Sequence, residues 1–289
     1  MSRYKLRANY DIENIDSQKM DGTVIVDVPM LSNGELNYGL SHIKKKLYEE
    51  NVYPSEIGFD IMSLATMVYM ADTRIERVVH GQDSWTREIE LEIPVSNVEI
   101  WDSQIRTVER MLKFLTGDLW KITLSSRAWQ FNNLEEVREK SNKYDEVSLF
   151  SGGMDSLIST INLMENKKNT LLISHAGEGL TKNAQKNIVN KFDLLYPDVL
   201  HTWLDLWMVF PRDYIPAGGN DNNTRSRSFL FIGYALFAMT GMDNINELLV
   251  PENGLIALNV PLDETRVGSF STRTTHPFYL SLWNELLVG

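Results

Sequence analysis

The chain of 289 residues contains no cysteine. Disulfides, cysteine nucleophiles, persulfide sulfur carriers and cysteine-ligated zinc are therefore excluded within it. No apolar run reaches membrane-spanning length, and the opening MSRYKLRANYDIENID has no apolar segment of signal-peptide type. The expectation is a cytoplasmic protein with no membrane partner. Basic residues are outnumbered: 28 Lys and Arg against 39 Asp and Glu leave a formal net charge of −11. That balance argues against an extended nucleic-acid surface, which needs clustered Lys and Arg. Five dispersed histidines, His42, His80, His175, His201 and His276, show no paired metal-ligand spacing. Repeats and low-complexity tracts are missing too. What is present is ordinary folded-protein composition, 43% hydrophobic and 23% charged, enough for one large domain or two modest ones.

The most informative stretch is Val147–Ser156, VSLFSGGMDS. A strand-like Val147–Phe150 ends at Ser151-Gly152-Gly153. A helical pattern starts at Asp155, with Leu157, Ile158, Ile161 and Met164 on one face. Paired glycines between strand and helix turn the backbone tightly and expose N–H groups, and the helix start adds positive potential. An isolated Gly-Gly with Ser and Asp is ordinary turn and cap chemistry. Asp155 would repel a phosphate unless it holds a bridging cation, so the full string points to nucleotide plus metal. It is not a Walker A loop, because the lysine and the GKS/T ending are absent.

Before this stretch, residues 3–10 and 22–29 read as strands, and Gly39–Glu50 and Ser55–Thr73 as helices. The strict alternation of Arg87–Val95, REIELEIPV, predicts a half-buried strand, antiparallel, with Ile89, Leu91 and Ile93 inward. One amphipathic helix is expected over Trp101–Leu115, stopped by Gly117, and a strand over Asp118–Leu124. The polar Asn132–Glu146 reads as a linker or connecting helix. A boundary near residue 140 would leave a smaller α+β domain at 1–140 and a second domain at 141–289. There the rhythm becomes alternating: strand Thr170–Ser174, helix Thr181–Leu195 (Ala184, Ile188, Phe192 and Leu195 inward), strand Val199–Leu206, helix Ser226–Met239. Leu248–Pro251 and Ile256–Val260 bracket a turn at Glu252-Asn253-Gly254. The fold class predicted is α/β, a doubly wound parallel sheet with ligands at the carboxyl ends of its strands.

Three later motifs carry polar chemistry. Ser174-His175-Ala176-Gly177-Glu178-Gly179 ends the second strand of that sheet, where an adenosine would lie. It reads equally as an empty glycine-rich turn, and His175 equally as a packed or surface histidine. Arg225 and Arg227 open the most apolar helix of the chain, FLFIGYALFAM. Arginines at a helix start oppose the macrodipole, so an anion is expected there, with β,γ-phosphates and pyrophosphate gripped bidentately. In Pro251–Pro277 a carboxylate (Glu252), an amide (Asn253), two guanidinium groups (Arg266, Arg273) and the hydroxyls of Ser271, Thr272, Thr274 and Thr275 share loop sequence. Pro277 after His276 marks the first turn of a last helix.

Ser151–Ser156 resembles the SGGxDS signature of the PP-loop ATP pyrophosphatases, which cleave ATP between its α and β phosphates. With the Arg-Ser-Arg helix start and the stretch PENG…NVPL…STRTTHP, it looks like the QueC-like branch, the 7-cyano-7-deazaguanine synthases. The first half, through Thr116-Gly117-Asp118-Leu119-Trp120, resembles QueC-like proteins of bacterial anti-phage systems such as Qat and type IV CBASS. The resemblance covers the second half well and the first half loosely. It implies a PP-loop (HUP-like) fold, ATP and Mg²⁺, and adenylation of a 7-carboxy-7-deazaguanine-like carboxylate followed by amide or nitrile formation. In the defence branch it implies attachment of the deazaguanine to the N-terminal amine of an operon-encoded protein partner. Residues 1–140, which lack a nucleotide motif, are expected to recognise that partner. Ser151, Gly152, Gly153 and Ser156 would hold phosphates, Asp155 would place Mg²⁺, and Arg225 and Arg227 would stabilise the leaving pyrophosphate. Ser174 and His175 would border the nucleotide; Glu252, Asn253, Arg273 and Thr274 would contact the deazaguanine or order its loop. The cysteine cluster that holds zinc in that family is absent, so either the chain is a C-terminally shortened form or this lineage lacks the module. No zinc site is expected.

Two other classes share the anchor loop: a PP-loop tRNA-modifying enzyme, which the missing cysteines and the acidic charge disfavour, and a non-catalytic nucleotide-binding partner module.

Overall fold

The structure is a computed structural model describing residues 3–132, 139–175, 179–208, 210–222, 225–258 and 273–288. Its first strands are β1 (Arg3–Asn9), β2 (Asp16–Met20) and β3 (Thr23–Pro29), followed by a hairpin of β4 (Leu31–Ser32) and β5 (Glu35–Leu36). Helices α1 (Leu40–Glu49), α2 (Glu56–Arg74) and α3 (Arg77–His80) lead to β6 (Glu88–Val95), α4 (Val98–Asp102), α5 (Ile105–Thr116) and β7 (Leu119–Ser126). The longer strands form a five-stranded sheet in the order β2-β3-β1-β6-β7.

In that sheet β2 runs antiparallel to β3, whereas β1 is parallel to β3 and β6, and β6 is parallel to β7. The antiparallel setting expected for 87–95 is thus corrected, and the first half interleaves helices with parallel strands instead of segregating them. Alternation in REIELEIPV reports one dry and one wet face; strand direction does not enter it. Ile89, Leu91 and Ile93 are buried. On the wet face Lys5 bridges Glu90 and Glu92 at 3.1 and 3.0 Å. The single helix expected over 101–115 is two, α4 and α5, with Ser103 and Gln104 between them. Gly117 ends α5 in the left-handed region, φ 80°.

The second half holds β8 (Glu146–Leu149), α6 (Met154–Glu165), β9 (Thr170–His175), α7 (Gly179–Leu195), β10 (His201–Leu206), α8 (Arg227–Met239), β11 (Leu248–Leu249), α9 (Gly254–Ala257) and α10 (Pro277–Val288). Its four-stranded sheet, ordered β10-β9-β8-β11, is parallel throughout. Leu171 and Ile173 of β9 face the main core, and Leu172 faces a smaller cluster with Phe150 and Phe192. Helices therefore cover both faces, as the uninterrupted apolar run TLLIS implies. No strand starts at Ile256, because α9 takes residues 254–257. Of the residues expected inward on α7, Ile188 and Phe192 pack in the smaller cluster, whereas Ala184 is exposed with Gln185 buried in its place and Leu195 is 68% exposed.

The main core runs across residue 140. α2, none of whose residues is exposed, packs between the first sheet and α8. Gly233 of α8 permits the crossing, since a Cβ there would lie 2.8 Å from Ala65 Cβ. α10 returns to α5, where Thr107 Oγ1 donates to Glu285 at 2.6 Å. Of the connection at 132–146, residues 133–138 lie outside the described residues; the rest forms no helix and is tied to its neighbours by Ser141, bridged to Met242, and Asp145, which accepts from the Asn169 N–H. No described helix is long and apolar enough to cross a membrane.

Candidate functional site

The strand order reverses beside β8: the chain moves out to β9 and β10, then crosses to β11 on the other side. In open parallel sheets the ligand crevice lies outside the carboxyl ends of the strands at such a reversal. The loops there are Phe150–Gly153, after β8, and Val250–Asn253, after β11.

The first loop is tightly self-bonded. Gly152 sits at φ 79°, a conformation that favours glycine, and a Cβ on it would meet Gln185 Cγ at 2.8 Å. Gln185, buried in α7, donates from Nε2 to the Ser151 carbonyl at 3.0 Å. The Ser156 hydroxyl donates to the Gly153 carbonyl at 2.9 Å and accepts the Gly152 N–H at 3.1 Å. Ser151 Oγ accepts the Gly153 N–H at 3.2 Å. Ser156 is buried and braces the turn from inside, whereas Ser151, Gly153 and Asp155 are exposed. No side chain caps α6. The ordinary N-cap explanation of this serine-rich turn is thereby set aside, and the positive end of a 12-residue helix is left open.

Asp155, in the first turn of α6, acts on Glu252 of the second loop through its charge. Partial burial first, and the Asp155 charge second, raise the Glu252 carboxyl above the usual range. Two carboxylates at one crevice fit a divalent cation that would relieve their repulsion. Beside Glu252, the Asn253 carbonyl accepts the Ala257 N–H at 2.9 Å and opens α9.

At the end of β9 both predicted side chains turn into the protein. Ser174 Oγ accepts the Trp203 Nε1–H at 2.6 Å. His175 is buried among Tyr69, Phe231 and Tyr234, and neither ring nitrogen has a partner among the described residues. Burial, then the Arg227 charge, pushes its pKa down to about 4, so the ring is neutral at physiological pH. His175 is a packed histidine. Arg227 Nη2 donates to the His175 carbonyl at 3.4 Å, which places this arginine at the carboxyl edge of the sheet.

Arg225 lies elsewhere. Its Nη1 donates to the Thr116 carbonyl at 2.7 Å and its guanidinium lies 4.4 Å from the Trp85 ring centre. Arg273 joins it, donating to the Phe114 carbonyl at 2.9 Å, with Thr274 in the following turn. Both arginines thus sit on the carboxyl end of α5, whose last carbonyls lack helical donors and favour cations. The predicted set therefore separates into the β8 loop with Glu252, the pair His175–Arg227, and the pair Arg225–Arg273. Arg266, Ser271, Thr272, Gly177 and Glu178 lie outside the described residues.

Sequence reasoning missed the buried network beneath these groups. Asp118 binds Arg77 at 2.5 and 3.0 Å and Arg87 Nη2 at 2.7 Å; Asp72 binds Arg87 at 2.6 Å and accepts the Ser226 N–H at 2.8 Å. That last bond fixes the start of α8. The available signal was a carboxylate, Asp72, within the long hydrophobic pattern of α2. At the end of β10, Asp205 pairs with Lys46 and Lys182, also unforeseen. Compared with protein-family models, curated proteins and solved structures, the chain matches none.

Proposed function

We propose that the chain is an ATP pyrophosphatase of the PP-loop type, in the QueC-like branch, which adenylates a 7-carboxy-7-deazaguanine-like carboxylate and passes it to an amine. The observation that carries this reading is the uncapped start of α6 beside the Asp155–Glu252 pair, at the strand-order reversal of a parallel sheet. The sheet order also suits a PP-loop fold.

In this reading the first N–H groups of α6 and the exposed Ser151 receive phosphate oxygens, with Gln185 and Ser156 holding the turn in shape. Asp155 and Glu252 hold Mg²⁺, which supplies charge neutralisation at the phosphates. A carboxylate oxygen of the substrate attacks the α-phosphorus, the bond to the β-phosphate bridging oxygen breaks, and pyrophosphate leaves. Arg227, at the carboxyl edge of the sheet, balances the charge that develops on it. The amine then attacks the acyl carbon, AMP departs with the bonding electrons, and a proton is lost to leave an amide. No side-chain nucleophile is needed, in keeping with a chain that has no cysteine.

A protein amine is the proposed acceptor, and residues 1–140 its proposed recognition surface. Intact mass of the protein encoded beside this chain, after incubation with the chain, ATP, Mg²⁺ and 7-carboxy-7-deazaguanine, tests the acceptor. A deazaguanine-sized gain with AMP release supports it; AMP with only a small-molecule amide or nitrile product replaces the protein acceptor by ammonia.

A further inference from the structure

Three N–H-bearing side chains approach Gly117 at the carboxyl end of α5, on the side where a Cβ would stand, and two of them also donate to the α5 carbonyls of Thr116 and Phe114. A Cβ built on Gly117 would lie 3.5 Å from Arg225 Nη1, 3.7 Å from Arg273 Nη1 and 3.7 Å from Trp85 Nε1. Gly117 has φ 80°, which side-chain-bearing residues rarely adopt, so no side chain of residue 117 comes between the three nitrogens. Neither arginine has a carboxylate within ion-pair distance among the described residues. The acids whose charge reaches Arg225, Asp118 and Asp72, are engaged by Arg77 and Arg87. Arg225 and Arg273 meet only a backbone carbonyl each, and the faces of Trp85 and Phe114. Guanidinium groups brought together without a counter-charge repel each other. Burial, then the Arg77 charge, lowers the Arg225 pKa, with Arg273 adding to it and Asp118 and Asp72 opposing it. Trp85 is 55% exposed, and both arginines are half-buried.

We propose that Arg225, Arg273 and the Trp85 indole N–H, grouped around Gly117, form a seat for a phosphate-type oxyanion. Two guanidinium forks and an indole donor offer N–H groups from three directions, which suits a tetrahedral, multiply charged group better than a planar carboxylate. The seat is built from the loop before β6, the end of α5, and the segments that lead into α8 and α10. Its occupancy would tie these segments together, independently of nucleotide chemistry at the β8 loop.

The test is thermal unfolding of the full chain at constant ionic strength, with inorganic phosphate replacing chloride and acetate as the carboxylate comparison. A saturable rise in melting temperature with phosphate is expected for the parent chain, and its loss in Arg225→Gln/Arg273→Gln. Trp85→Phe keeps a ring beneath Arg225 but removes the N–H, so the phosphate midpoint should rise about fivefold, one hydrogen bond's worth. That variant decides the matter should the double variant not fold. A rise that persists unchanged in the variants belongs to another site and overturns the seat. An equal rise with acetate overturns the phosphate assignment, and no saturable rise overturns the proposal altogether.

Discussion

Gln185 of α7 reaches across to the β8 loop and donates its amide to the Ser151 carbonyl at 3.0 Å, filling the space that a side chain on Gly152 would occupy. The loop's shape is thereby set from outside it. Gln185→Ala removes that donor and opens a void, and should lower stability by about 1 kcal/mol while weakening ATP binding more than tenfold. Gly152→Ala meets both the Gln185 contact and an unfavourable φ, and should be destabilised by roughly 1–3 kcal/mol. Urea midpoints and nucleotide titrations check both. Unchanged ATP affinity in Gln185→Ala would remove the bracing role.

The buried network makes a separate statement about acid. Burial raises the Asp118 carboxyl, but the Arg87 bond and charge, with those of Arg77, more than reverse this and hold it below the usual carboxylate range. A carboxyl depressed in the folded state contributes stability above its unfolded pKa, lost as pH falls through the folded one. Asp118→Asn leaves Arg77 and Arg87 short of charge and should be destabilised by about 3–5 kcal/mol at neutral pH. Its stability should also fall less steeply below pH 4 than the parent's. Denaturant melts across pH give both numbers.

Glu252 behaves in the opposite sense. Its carboxyl is raised by burial and by Asp155, so the stability tied to it is present below the unfolded pKa and lost as pH rises through the folded one. Glu252→Gln should raise the melting temperature of the metal-free protein at pH 7. The same change should weaken Mg²⁺ binding on the order of tenfold. Titration of melting temperature with MgCl₂ separates the two effects. Parent-like Mg²⁺ affinity in this variant would exclude Glu252 as a ligand.

For His175 the expectation is silence. With a pKa near 4, its ring resonances should not shift between pH 6 and 8 in a histidine-detected NMR titration. Below about pH 6.5 the unfolded chain takes up a proton that the folded chain refuses, so stability falls between pH 6.5 and about 4. His175→Phe should flatten that decline.

Much of this was legible in advance. Strand, turn and helix at 147–165, the βα rhythm after residue 140 and the last helix at Pro277 follow from periodicity and glycine placement, which are local signals. Strand direction in the first sheet was not legible, because alternation records exposure alone. On α7 the spacing of Ile188 and Phe192 fits both Ala184 and Gln185 as the preceding inward residue, and the contact of Gln185 with the β8 loop, which selects it, is not a local signal. Arg225 was expected at a phosphate because a helix start disfavours cations. Its actual partner is the end of another helix more than a hundred residues earlier, a relationship that no local pattern encodes.

The central claim is reversible adenylation at the uncapped start of α6. Carboxylate-dependent exchange of labelled pyrophosphate into ATP tests it most directly, since it needs no amine acceptor. The parent chain with Mg²⁺ and 7-carboxy-7-deazaguanine should exchange label, Asp155→Asn should not, and omission of the carboxylate should abolish the signal. Release of ADP and phosphate, or nucleotide binding with no exchange under any of these conditions, would contradict the account.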